Sequence, residues 1–86
     1  MKILEDALTL GTAVSSQCDD RGMASVGLLF NPYKCRWEAT CSWSDSSSIV
    51  YADEDIIIAV SALNRLLRAE YDKCKAARED KRKGVR

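Results

Sequence analysis

Hydrophobic positions along the chain change period twice. From Lys2 to about Gln17, Ile3, Leu4, Ala7, Leu8 and Val14 recur at the three- and four-residue steps of one helix face, with Leu10 beside them. Gly11, Thr9 and Thr12 are weak helix formers in the middle of that segment, and "CDDRG" closes it with Gly22 as a turn residue. From Ala24 to Phe30 the pattern becomes that of a strand, with Val26, Leu28 and Phe30 on one side, and "NPYK" turns the chain. In "KCRWEATCSW", Cys35, Trp37, Ala39, Cys41 and Trp43 alternate with Arg36, Glu38, Thr40 and Ser42. This is the clearest period-two segment of the chain, and it predicts a strand with a cysteine- and tryptophan-rich core face. "SDSSS" reads as a second turn and Ile49 to Ala52 as a third strand.

Asp53 then reads as a helix N-cap, with Glu54 and Asp55 in the first turn, where negative charge suits the helix dipole. The stripe Ile56, Val60, Leu63, Leu67, Tyr71 and Cys74 keeps helical spacing, widened by Ile57, Ala59 and Leu66. It predicts a helix to about Glu79, roughly 27 residues and about 40 Å long, so its last turns project beyond a small sheet. The expected architecture is a single α+β domain over residues 1–80, in the order α-β-β-β-α. A three-stranded antiparallel sheet carries two helices on one face, and residues 81–86 form a frayed basic tail.

Charge changes this picture more than composition does. The 13 basic and 13 acidic residues cancel, but residues 1–64 hold nine acids against four bases and residues 65–86 nine bases against four acids. The globular part is acidic and would repel phosphate. Glu5 and Asp6 interrupt any leader-like apolar run near the start, and no run is long enough to span a bilayer, so a cytoplasmic protein is expected.

Candidate chemistry is sparse. The chain has no histidine, which removes the commonest general base and metal ligand. Cys35 and Cys41, about 20 Å apart on one strand at ~3.3 Å per residue, cannot form a disulfide. Without a C-x-x-C pair, the four cysteines read as buried apolar thiols, with a Cys18–Cys74 contact between the helices left open. No nucleophile elbow or glycine-rich phosphate loop is present. The expectation is no enzyme, no catalytic residue, no metal site and no cofactor. The tryptophans read as core, not as a base-stacking platform.

The element order together with "IIIAVSALNRLL" resembles the double-stranded RNA-binding domain, which implies the same fold. That family opens its second helix with phosphate-gripping lysines. Here Asp53, Glu54 and Asp55 stand in their place and oppose RNA binding. The hairpin "CRWEATCSWSDSSSIVYA" followed by an acidic-capped helix is similar in style to small bacteriophage and mobile-element accessory proteins of the anti-CRISPR and anti-defence kind. That resemblance implies an inhibitor acting by occlusion or mimicry.

The expected function is therefore a small protein-binding module, an inhibitor or regulator of a host defence or nucleic-acid-processing factor. Its expected contact is an acidic rim of Asp45, Asp53, Glu54 and Asp55, with Asp19 and Asp20 nearby. The alternative is nucleic-acid binding through Lys73, Lys75, Arg78, Lys81, Arg82, Lys83 and Arg86. The apolar width of the second helix at Ile57, Ile58 and Leu66 also suggests a homodimer surface. No membrane partner is expected.

Overall fold

The computed structural model describes residues 2–18 and 20–84, with side chains as far as residue 80. Helix α1 (Lys2–Gln17) leads into strands β1 (Ala24–Asn31), β2 (Arg36–Trp43) and β3 (Ser48–Asp53), and helix α2 (Ile56–Gly84) follows. The strands form one antiparallel sheet in the order β1-β2-β3, and both helices pack on the same face of it. The α-β-β-β-α reading of the sequence holds.

Period-two alternation decides which face is buried. Register places Val26, Cys41 and Ile49 in one row across the sheet and Leu28, Ala39 and Tyr51 in the next, all on the helix side. The opposite face carries rows of short side chains, Ser25–Ser42–Ser48 and Gly27–Thr40–Val50. Ala39, Cys41 and Trp43 join Ala7 and Val14 of α1 and Ala59, Val60, Leu63 and Leu67 of α2 in the core. The Trp43 indole is satisfied there, its N–H donating to the Gly11 carbonyl at 3.0 Å.

Gly11, read from sequence as a weak point of α1, is what lets the helix sit so low. A Cβ there would lie 2.7 Å from the Cys41 sulfur and 3.3 Å from the Ala24 Cβ. The helices run parallel. Asn64 of α2 donates to the Ile3 carbonyl near the start of α1, and Arg78 donates to the Ser16 carbonyl at its end. At about 43 Å, the 29-residue α2 sets the 53 Å long dimension.

Beyond one-residue extensions of β1 and β3, three boundaries differ from those expected. Cys35 is not on the strand. It is an exposed turn residue with φ of 52°, because Asn31 pairs with Arg36 and the four residues between must close the hairpin. The Asn31 carboxamide oxygen accepts the amides of Tyr33 and Lys34, and Cys35 then takes the left-handed conformation that returns the chain to register. The cap of α2 is Asp55 and not Asp53. Its carboxylate accepts the amides of Ile57 at 2.8 Å and Ile58 at 3.3 Å. Asp53 instead ends β3 opposite Trp37 and accepts the Asp55 amide, so no acidic residue lies in the first turn. Finally, α2 continues past Glu79 to Gly84, so 81–84 of the expected tail extend the helix, and 85–86 lie outside the described residues.

Replacing Gly11 by Ala pits a helix-propensity gain of about 1 kcal/mol against overpacking of Cys41 that costs about 1–3. Chemical denaturation is expected to show net loss of stability in the wild-type background. With Cys41→Ala the same substitution should turn neutral or stabilising, giving a coupling of about 1 kcal/mol.

Candidate functional site

The acidic residues expected to act together are divided by the sheet. Asp45 lies in the β2–β3 turn, and Asp53, Glu54 and Asp55 lie at the far end of β3, roughly 20 Å away along the strand. Asp45 is occupied locally. Its carboxylate accepts the Ser47 hydroxyl and amide, and these bonds hold its pKa below the ordinary carboxylate value. Asp53 and Asp55 accept backbone amides as described, which leaves Glu54, also exposed, as the carboxylate of the group that accepts no hydrogen bond among the described residues. Asp20 is exposed on the α1–β1 connection, and Asp19 lies outside the described residues.

The basic alternative is also spread out. Lys73, Lys75 and Arg78 are exposed along the distal half of α2, where Gln17, Lys75, Arg78 and Glu79 line a shallow hollow of about 190 Å³ at the end of α1. Arg78 spends its guanidinium on the Ser16 carbonyl, an interaction that favours a helix C-terminus. The side chains of Lys81, Arg82 and Lys83, and the whole of Arg86, lie outside the described residues.

The thiols occupy three environments. Cys35 is exposed, Cys18 half-buried, and Cys41 and Cys74 buried, so the expectation of four buried thiols fails at Cys35, which the hairpin loop carries outward. Burial pushes Cys41 up to about 11 against the nearby Arg21 charge. Cys74 also stands at about 11, through burial and then the adjacent Cys18 thiol, so those two cysteines are neighbours and both are free. Arg21 forms the polar node between them. It pairs with Glu70, lies 3.8 Å from the Cys74 sulfur and sits 4.9 Å above the Trp43 ring centroid. Burial opposes its charge, but the Glu70 hydrogen bond and charge outweigh that and raise its pKa. No group of three His, Cys, Asp or Glu side chains comes together as a metal site among the described residues. None of the described helices is long and apolar enough to cross a membrane.

What sequence reasoning missed lies at the sheet edges. Trp43 donates to the Ser47 carbonyl, which fixes the ladder alternation. The inward hydrogen bonds of β3 then fall to Ile49, Tyr51 and Asp53, and the N–H and C=O groups of Ser48, Val50 and Ala52 face the open edge. Beside that edge, Tyr51, Ala62, Arg65 and Leu66 line a groove of about 330 Å³. Tyr51, Leu66 and Ile58 are 39%, 40% and 47% exposed. The signal was present in the excess apolar width of α2, but not the edge it accompanies. Compared with protein-family models, with curated proteins and with solved structures, the chain matches none of them.

Two measurements check this assignment. At pH 7.5 an alkylating reagent is expected to modify Cys35 rapidly and to reach Cys41 and Cys74 only on unfolding, read by mass spectrometry of the native protein. Asp55→Ala should lower stability by about 1 kcal/mol, and by more than Asp53→Ala; the opposite order would return the cap to Asp53.

Proposed function

We propose that the chain is a non-enzymatic protein-binding module that takes up an extended segment of its partner as a fourth strand along β3. One observation carries this reading: the uncovered backbone edge of Ser48, Val50 and Ala52 runs beside an apolar groove. In strand addition the main-chain hydrogen bonds supply affinity and the pockets for alternate side chains supply specificity. Here Tyr51, Ala62 and Leu66 offer the apolar pocket, and Arg65 at its side favours a carboxylate.

Helix α2 begins next to the end of β3 and runs back along it, so the acidic group Asp53–Asp55 stands at one end of the same edge. The partner segment that fits is apolar at alternate positions and basic where it passes Glu54. The acidic surface expected from the sequence thus enters as the terminus of a docking edge, without Asp45. A module of this kind regulates by occlusion, holding a segment its target needs elsewhere, which agrees with the role of inhibitor of a host factor.

Proline at position 50 removes an outward N–H while leaving the β2–β3 ladder intact. A nuclease-treated pull-down from bacterial lysate should recover a defined protein with the wild-type chain. Its affinity should fall at least tenfold with Val50→Pro and measurably with Glu54→Lys, each variant keeping its circular dichroism spectrum. Capture unchanged in both variants, or an eluate holding only nucleic acid bound through Lys73, Lys75 and the helix end, would sink the reading.

A further inference from the structure

The opposite flank of the molecule has a different character. Residues 7–18 and 22–33 carry no charge at all, although 30% of the chain is charged and an average stretch of that combined length would hold about seven charges. These two uncharged segments are neighbours in space, since α1 packs against β1. Between them lies a groove of about 250 Å³ lined by Leu4, Leu8, Val26 and Leu28, with Glu5 at the rim. Leu8 and Phe30 remain 44% and 42% exposed on this flank, and Leu29, 66% exposed, lies on the opposite face of β1.

Strand β1 is also an open edge, eight residues long and paired one-to-one with β2 without a bulge. It has no lysine, no proline and no inward charge, the devices by which monomers guard such edges. By contrast, β3 is shorter and closes on Asp53, Glu54 and Asp55. Because β2 turns its odd-numbered backbone groups toward β3, it meets β1 through the even-numbered ones. The N–H and C=O groups of Ala24, Val26, Leu28 and Phe30 therefore face outward.

We infer that this flank is a self-association surface, at which β1 pairs antiparallel with β1 of a second copy to give a two-fold dimer with a continuous six-stranded sheet. The charge pattern selects this occupant. A neutral strand offers nothing to steer or hold a charged partner, whereas it meets its own copy across a two-fold axis with no like charges opposed. Depletion of charge marks interface cores, and homodimer interfaces are the more apolar ones. With even-numbered residues facing the edge, an axis through Gly27 pairs Val26 with Leu28 of the second copy and Ala24 with Phe30. Nothing lies within 4 Å of the position a Gly27 Cβ would take, so the sheet face opposite the helices is open beside the axis. With Gly11 over Ala24 and the Leu4–Leu8 turn beside Val26 and Leu28, the axis passes close to α1 near Glu5, which stands at the rim of the groove in each copy. The two β3 edges then lie at the outer ends of the sheet, free for separate use.

Sedimentation velocity of the full chain between about 1 and 100 µM tests the inference. The expected species has twice the 9.6 kDa chain mass. Leu8→Glu and, independently, Thr12→Glu add a carboxylate to the exposed flank of α1, on which Glu5 already lies, without touching the core, and each should weaken dimerisation at least tenfold with an unchanged circular dichroism spectrum. Val50→Pro should leave the dimer intact, which separates this surface from the β3 docking edge. A wild-type chain that stays monomeric at 100 µM would overturn the inference. So would dimers that survive both glutamate variants, or a folded Val50→Pro protein that becomes monomeric.

Discussion

The fold depends on how closely α1 approaches the middle of β2. Gly11 presents bare backbone to the Cys41 sulfur, and its carbonyl receives the Trp43 indole N–H. Any larger residue at position 11 would lift the helix and take the acceptor away from a buried donor, and an unsatisfied buried donor costs about 1–3 kcal/mol. With α1 seated, its ends can meet α2 through Asn64 and Arg78, and the two parallel helices close over the sheet. An 86-residue chain has little core to spare, so one close backbone approach substitutes for the bulk of a larger side chain.

A second constraint lies where α1 hands over to β1. Gly22 has φ of 78°, and a Cβ there would meet Ser44 at 2.8 Å, so this connection too is built on bare backbone. Arg21 beside it joins three elements: Glu70 of α2, the Trp43 ring of β2 and, through its carbonyl, the Asp45 amide of the β2–β3 turn. A guanidinium can do this because its planar fork donates to a carboxylate while its face stacks on an aromatic ring. The Arg21–Glu70 pair, with side chains 18% and 21% exposed, is sheltered enough to fix the loop, unlike the solvent-exposed Arg68–Asp72 pair.

Elements were legible from sequence because their periods are physical: alternation over Trp37–Trp43 had one interpretation, and the 56–74 stripe another. Their ends were not, because an end is settled by hydrogen bonds whose geometry no period encodes. In "ADED" three carboxylates compete for one cap, and Asp53 loses because the ladder with Trp37 still holds it in the strand. Cys35 continues the alternation in the sequence but falls on the turn, since loop closure and not side-chain pattern sets the register at Asn31 and Arg36. The acidic rim is divided for a related reason: Asp45 and Asp53 are eight residues apart in sequence, but an extended strand keeps them at opposite ends of the sheet.

An open three-stranded sheet leaves two edges, and this chain treats them differently. Charge is concentrated on α2 and around the end of β3, while β1 and α1 beyond Asp6 carry none. Net neutrality therefore hides an asymmetric molecule. Charge near an edge makes pairing selective, because a strand that leaves Glu54 or Arg65 unmatched binds less well than one that meets them. An uncharged edge discriminates mainly by shape and backbone, and the surface that best reproduces its own twist and spacing is another copy of itself. The two edges thus differ in the charge around them, a difference set by where the chain places its carboxylates and guanidiniums and not by its strands, which are much alike.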